Sequence, residues 1–486
     1  MTVERPRCLV TGATGYIGAR LVPQLLDAGH AVRALARNPA KLDDVPWRSD
    51  AEVAPGDLSD VESLTKAFDG IDVVYYLVHS MGGTKDFAAE EERAVRNVVT
   101  AAKRNGVRRI VYLGGLHPEN KDLSPHLESR RAVGEHLIES GIETVVLQAG
   151  VVVGSGSASF EMIRHLTDRL PVMTTPKWVH NKIQPIAVRD VLHYLVRAAT
   201  VAVPSSRTWD IGGPDVLEYG DMMRGYAEVA GLSDRRLIVL PFLTPSIASL
   251  WVGTVTPIPP GLARPLIESL ECDAVMRNRD IDSIIEPPPG GLTSYRKAVA
   301  TALDRAGRGL FGRSWTSLQS EPGESLPSDP QWAGEIVYTD ERTAVTAAKP
   351  AELWQAAESA VRDGRHRFPL GRGRSTRRWS ITESEPGTKL RLQAQVRAPA
   401  QAWLEIVVSQ QEMGSKYTQR ATLLPRGVTG RLYWYLLWPV HSAALRALAR
   451  NVVSNAEQRR QNQHHDQTPE EVREHRRQDP AGSPAL

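Results

Sequence analysis

The stretch Cys8-Leu-Val-Thr-Gly-Ala-Thr-Gly-Tyr-Ile-Gly18, continued by Ala19-Arg-Leu-Val-Pro-Gln-Leu-Leu26, decides how the chain is read. It is a short apolar strand, a glycine turn, and a helix with Leu21, Val22, Leu25 and Leu26 as its apolar positions. Gly12 permits a sharp turn at the strand end. Gly15 lets an anion approach the backbone and the helix N-terminus, where free N–H groups and the helix dipole favour negative charge. Gly18 allows the helix to pack closely on the strand. Strand, turn and helix in that order make the glycine triplet a dinucleotide site, with a turn serving packing alone as the alternative. The residues expected there are Thr11, Gly12, Thr14, Gly15, Tyr16, Ile17 and Gly18.

The same rhythm continues downstream. Residues 30–37, 53–58, 71–79, 109–113 and 143–149 read as further strands, and 93–103 and 128–140 as helices between them. The run at 71–79 is almost continuously apolar, as a strand buried on both faces must be. Strands alternating with helices predict an α/β fold with a doubly wound parallel Rossmann sheet. The second strand closes without an acid, where a carboxylate would hold an adenosine 2′-hydroxyl and repel a 2′-phosphate. Arg33 and Arg37 stand there instead. Arginine grips phosphate bidentately, so NADP(H) is favoured and NAD(H) stays open.

The Gly-x-x-Gly-x-x-Gly spacing, with Thr11 before it and Tyr16-Ile17 inside it, resembles the extended and atypical short-chain dehydrogenase/reductase families. That resemblance implies adenine contacts from Asp57 and Leu58 after the third strand, and cofactor contacts from Leu77, Val78 and His79 after the fourth. It also implies a Tyr-x-x-x-Lys pair, but no tyrosine lies between Tyr112 and Tyr194. The loss points to the atypical branch, similar to the nitrogen-metabolite-repression regulator and the Rossmann-fold accessory subunit of respiratory complex I. Within it, His79-Ser80-Met81, Gly114-Gly115-Leu116-His117 and Gly154-Ser-Gly-Ser-Ala-Ser-Phe-Glu161 resemble bacterial predicted nucleoside-diphosphate-sugar epimerases with an added C-terminal domain of unknown function. His79, Ser80 and His117 are the candidates for a substitute acid, against a reading of each histidine as a hydrogen-bonded loop residue. Ser155, Ser157, Trp178 and Gln184 are candidate substrate contacts, with helix capping as the plainer use of the serines.

Residues 1–305 therefore read as the nucleotide domain with substrate-side insertions, and the Gly-, Ser- and Pro-rich residues 306–334 as a linker. Residues 335–454 read as a strand, an early helix, four more strands and a long helix. That order resembles the helix-grip fold, a smaller α+β domain that commonly encloses an apolar cavity; a filled core is the alternative. The polar residues 455–486 should be disordered.

The totals set bounds. A net charge of +3 over 486 residues gives no argument for nucleic acid as a partner. Two cysteines, Cys8 and Cys272, offer neither a disulfide framework nor a metal cluster. With no signal-peptide pattern at the start, the expected location is the cytoplasm. Residues 237–263 carry no charge but hold five prolines, a poor fit to a spanning helix. That segment, and the Trp- and Tyr-dense run Leu432-Tyr-Trp-Tyr-Leu-Leu-Trp-Pro-Val-His441, leave open a peripheral contact with the inner face of the membrane. The expected partner is a small apolar substrate, and the expected function is NAD(P)-linked reduction or isomerisation. A non-catalytic redox sensor or scaffold is the rival.

Overall fold

The computed structural model describes residues 5–78, 87–119, 123–240, 252, 256–309, 338–362, 379–395, 400–411, 414–425 and 427–475. They fall within two compact units, Met1–Glu335 and Ile336–Leu486.

The first unit is built on a seven-stranded parallel sheet. Its strands are β1 (Cys8–Val10), β2 (Val32–Ala36), β3 (Glu52–Pro55), β4 (Val73–Tyr76), β5 (Arg109–Gly115), β6 (Glu143–Ala149) and the Arg207–Ile211 strand. The spatial order is Arg207–Ile211, β6, β5, β4, β1, β2, β3. The winding reverses between β1 and β4, and there a doubly wound sheet opens a crevice at the carboxyl ends of its strands. Helices α1 (Tyr16–Asp27) and α6 (Val188–Ala198) cover one face, with Leu21, Val22 and Leu25 sharing a core with Val191, Leu192 and Leu195. Helices α2 (Val61–Ala67), α3 (Phe87–Arg104) and α4 (Pro125–Glu139) cover the other through Leu64, Val95, Val98 and Leu137. Burial on both faces explains why the strands read as apolar runs rather than alternations.

The chain beyond β6 forms a separate lobe. Helices α5 (Ala158–Arg169) and α7 (Tyr219–Val229) pack with the Pro260–Glu268 and Tyr295–Gly309 helices around Phe160, Tyr226, Ile267 and Val299. Two buried carboxylates tie this lobe to the sheet. Asp210, on the Arg207–Ile211 strand, takes two hydrogen bonds from the Arg277 guanidinium at 2.8 and 2.7 Å and one from the Arg277 backbone at 2.9 Å. Asp190, fully buried on α6, accepts from the Thr293 backbone at 2.7 Å. Most of the uncharged segment expected at 237–263 lies outside the described residues; its start is the Arg236–Val239 strand, paired with Val172–Thr175. Among the described residues no helix is long and apolar enough to cross a membrane.

The second unit is a five-stranded antiparallel sheet in the order Tyr338–Thr346, Gly414–Pro425, Ala400–Gln411, Lys389–Ala394, Trp379–Glu385. The Pro350–Arg362 helix and the Gly427–His475 helix pack on it through Leu353, Ala356, Leu445, Leu448 and Val452. The order of elements is the one the sequence predicts, with one correction at the end. Residues expected to be disordered from 455 onward continue the long helix as far as His475. The apolar stripe of that helix reaches Ala456, which is fully buried, and Glu457 accepts a hydrogen bond from Thr346 Oγ1 at 2.9 Å. Polar composition hid a single apolar contact that carries the helix onward. The expected linker beyond residue 309, and residues 363–378, lie outside the described residues.

Two glycines test the packing argument. A Cβ on Gly18 would lie 2.8 Å from the Gly12 carbonyl carbon and closer still to its oxygen. Gly261, exposed in the Pro260–Glu268 helix, has nothing within 4 Å of its Cβ position. Gly18→Ala should therefore lower stability by about 3 kcal/mol or prevent soluble expression, as overpacking does. Gly261→Ala should be neutral or stabilising by up to ~1 kcal/mol. Urea unfolding of both variants measures the contrast.

Candidate functional site

The crevice at the switch point is a cleft of about 790 Å3. Gly12, Thr14, Gly15, Tyr16, Ile17 and Gly18 form its floor, and Arg37, Asp57 and Leu58 one end, with Leu77 and Val78 also lining it. Gly12 has φ +68°, the left-handed conformation that glycine adopts without strain. Gly15 is the N-cap of α1 and supplies no side chain, so the first turn of the helix presents bare N–H groups to the cleft. A pyrophosphate fits such a floor, because side chains at Gly12 or Gly15 would press on Leu77 and on the Gly12 carbonyl. Thr11 does not line the cleft. Fully buried, its hydroxyl donates to the Tyr75 carbonyl at 2.9 Å and accepts from the Leu77 N–H at 3.0 Å. It acts through Leu77, by pinning the end of β4 to the end of β1.

The adenosine end is built from two loops. Asp57 accepts from the Ser59 N–H at 2.9 Å and the Ser59 hydroxyl at 2.8 Å. These bonds, helped by the charge of Arg37, hold its carboxyl below the ordinary range. Asn97 on α3 fixes the same loop by donating to the Leu58 carbonyl at 2.8 Å. Arg37 is exposed at the rim, available to a ligand. Arg33, offered by the sequence for the same task, is not. It is buried, donates to the carbonyls of Ala67 and Asp69 at 2.6 and 2.8 Å, and pairs with Glu52 at 2.9 Å.

Of the candidate acids, His79 and Ser80 lie outside the described residues. His117 is buried just beyond β5, with both ring nitrogens engaged. Its Nδ1 lies 3.2 Å from the Pro118 carbonyl, which can only accept, and Nε2 lies 3.1 Å from Gln148 Nε2, which can only donate. This is the hydrogen-bonded loop histidine of the plainer reading. Ser157 is the N-cap residue of α5, yet its hydroxyl turns back to the Val152 carbonyl at 2.8 Å and caps nothing. Ser155 is buried, and its carbonyl accepts from Arg20 at 3.4 Å. Gln184, expected in the substrate cleft, instead stitches two loops: it donates to the Gly213 carbonyl at 2.7 Å and accepts from the Met276 N–H at 3.0 Å. Trp178 does reach a cavity. With Met162, Ile163, Leu166 and Met223 it lines a small apolar pocket of about 40 Å3 in the lobe.

Two residues, Glu91 and His126, escape a sequence reading that looks for tyrosine and starts a helix at 93, whereas Arg130 is one of the residues that reading offers in place of the lysine. Helix α3 begins at Phe87, which brings Glu91 into the cleft wall, where it accepts a hydrogen bond from the Ser129 hydroxyl. On α4, His126 and Arg130 stand four residues apart, the spacing of the absent Tyr-x-x-x-Lys pair. Arg130 lies beside Gly115 at the end of β5, with a Gly115 Cβ position 3.6 Å from its Nη1. Among the described residues its guanidinium has no ion-pair or hydrogen-bond partner, and Nε is buried and unsatisfied. Burial pulls its pKa down, while Tyr112 and Glu91 oppose that shift. The signal that could have found the pair was the i, i+4 spacing itself, read without fixing the residue types.

His126 is buried, and burial, reinforced by Arg130, pushes its pKa down to about 3. It is therefore a neutral imidazole at physiological pH. Because its folded pKa lies below the unfolded value of about 6.5, its contribution to stability is complete above pH 6.5 and is lost as pH falls toward 3. At pH 5 that loss amounts to about 2 kcal/mol. His126→Gln should shrink the drop in melting temperature between pH 7 and pH 5, measured by calorimetry.

Comparisons with known proteins agree with this geometry. A family model described as NAD(P)H-binding matches residues 12–167, and a protein family of unknown function (DUF2867) matches residues 354–448. The chain is 37% identical over 122 residues to 3 beta-hydroxysteroid dehydrogenase/Delta 5-->4-isomerase of Mycobacterium tuberculosis, covering 23% of this chain and 32% of that protein. It is 26% identical over 265 residues to sterol demethylase protein B of Methylococcus capsulatus, covering 50% of this chain and 80% of that protein. The match thus spans about a third of the length of the first of these relatives. Among solved structures, triphenylmethane reductase of Citrobacter sp. superposes with a TM-score of 0.50 at 20% identity, over 61% of this chain and 99% of that one, a likeness of fold. The first unit thus has a Rossmann-type fold whose residues 12–167 match an NAD(P)H-binding family, and the second unit contains a match to a family whose function is unknown.

Proposed function

We propose that the protein is an NADPH-linked reductase or isomerase of an apolar small molecule. The observation that carries the cofactor choice is Arg37, exposed at the adenosine end of the cleft, with no acid closing β2 and Arg33 already committed elsewhere. A guanidinium there suits a 2′-phosphate, which an NAD-type carboxylate would repel. When bound, the nicotinamide supplies hydride chemistry. The residues of this chain do the rest. The glycine turn and the N-terminus of α1 hold the pyrophosphate, and Asp57 with Leu58 receives the adenine.

Arg130 gives a polar group on the substrate something to meet. A guanidinium at the carboxyl end of β5, its Nε making no hydrogen bond among the described residues, stabilises negative charge developing on a carbonyl oxygen. It does not donate a proton, which comes from solvent in this reading. The steroid and sterol names of the relatives support an apolar substrate. The engaged ring nitrogens of His117 favour a second reading, a nucleotide sensor without turnover.

Titration calorimetry with NADPH, NADP, NADH and NAD tests the first step. The phosphorylated forms should bind at least about tenfold more tightly, and Arg37→Ala should remove that preference, since a charge-assisted bond contributes about 1.5–3 kcal/mol. An NADPH-oxidation screen over apolar ketones and enones tests the second. Arg130→Ala should lower kcat on the order of a hundredfold while leaving NADPH affinity unchanged. Binding without turnover on any of them would favour the sensor, and no binding at all would overturn the assignment.

A further inference from the structure

The long helix of the second unit is apolar on two opposite sides. Its inner side, Trp434, His441, Leu445, Leu448 and Val452, is buried against the sheet and the neighbouring elements. At 100° per residue the opposite side carries Leu432, Tyr435, Leu436, Pro439 and Val440. These face solvent: Leu432 is 56% exposed, Tyr435 and Leu436 67% each, and Val440 46%. A surface helix normally turns polar residues outward. Here an unbroken apolar strip about 12 Å long lies on the outside.

The flanks of the strip indicate what covers it. Arg446 and Arg450 continue the same side of the helix, exposed, directly beyond the apolar residues, and Arg431 precedes them. From Gly427 to Ala456 the sequence holds three arginines and no aspartate or glutamate. The aromatic residues at the start of the helix are held in place rather than loose. Tyr338 stacks on Trp434 with ring centroids 5.1 Å apart, Trp434 meets Trp438 at 4.9 Å, and Tyr435 lies edge-on to Tyr338 at 5.7 Å. Exposed leucine and valine beside rigid tyrosine, followed by arginine and free of acid, form the pattern of an interfacial helix on an anionic bilayer. No described helix can span a bilayer, so the contact is one of lying on the surface. A second copy of the chain fits less well. Five side chains in a narrow strip fall far short of the roughly 20–30 residues per side of an ordinary protein interface, and the arginines would face each other across the symmetry axis.

We infer that the outer face of the Gly427–His475 helix, around Leu432, Tyr435, Leu436 and Val440, is a docking surface for an anionic lipid bilayer. The leucines and valine enter the interface, Tyr435 sits at headgroup level, and Arg446 and Arg450 meet lipid phosphate and carboxylate.

Sedimentation of the full chain with vesicles tests this. The protein should pellet with phosphatidylcholine vesicles that contain phosphatidylserine, and much less with phosphatidylcholine alone. The double variant Leu436→Glu, Val440→Glu should bind at least about tenfold more weakly while keeping the wild-type melting temperature, because both side chains already face water. Arg446→Gln with Arg450→Gln should erase the preference for the anionic vesicles, at about five- to tenfold per arginine. Wild-type protein that stays in the supernatant with both vesicle types would overturn the inference, as would a glutamate variant that pellets like the wild type. So would sedimentation velocity showing that this face joins two copies and that vesicles do not compete.

Discussion

How closely α1 approaches the turn beneath it governs the whole nucleotide half. Gly18 rests on the carbonyl of Gly12 with no room for one more carbon, and Gly12 can present that carbonyl because it sits at φ +68°. The contact sets where the helix N-terminus points, and so where an anion is held. Thr11 locks the same corner from below by bonding to β4 on both sides of its last residues. A second close approach, of Gly154 against Tyr16, brings the lobe down onto the same turn. Geometry at backbone level therefore fixes the cofactor floor, and side chains only decorate its ends.

Charge is used in two ways in this unit. Some buried ions join segments distant in sequence: Arg109 reaches Glu143 and the carbonyls of Ala198 and Val201, and Asp210 captures Arg277. Removing one partner of such a pair leaves an uncompensated buried charge, which makes the lobe and sheet interdependent. Arg33 belongs to this structural class, although its position in the sequence suggested a ligand. Arg37, four residues on in the same strand region, belongs to the other. The end of the strand separates them: Arg33 lies within β2 and turns to carbonyls, and Arg37 lies just beyond it.

The fold of the first unit was legible because its signals are local. Apolar runs between helices specify a parallel sheet whatever the details, and the glycine turn marks the switch point. Most of the residues that line the cleft were legible for the same reason. The catalytic end was less legible because its determinants are hydrogen bonds between residues far apart in sequence. Nothing around Gln184 discloses that its amide is taken by Gly213 and Met276, and nothing near His117 discloses Gln148. The helical tail was missed because one buried alanine and one glutamate, against a strand more than a hundred residues earlier, hold its first turns. His126 is hard to find from sequence because its tie to Arg130 lies in the i, i+4 spacing rather than in residue type.

Arg130 has a thermodynamic implication beyond catalysis. A buried guanidinium nitrogen, Arg130 Nε, that makes no hydrogen bond among the described residues raises the free energy of the empty protein. Any small molecule that brings an oxygen to that guanidinium relieves the penalty in the folded state alone. Ligand affinity and resistance to unfolding are then coupled through one side chain, so the melting temperature of the protein becomes a gauge of site occupancy. A collection of apolar carbonyl compounds can be sorted by that gauge before any turnover has been observed, and the physiological ligand should stand out by how far it moves the transition.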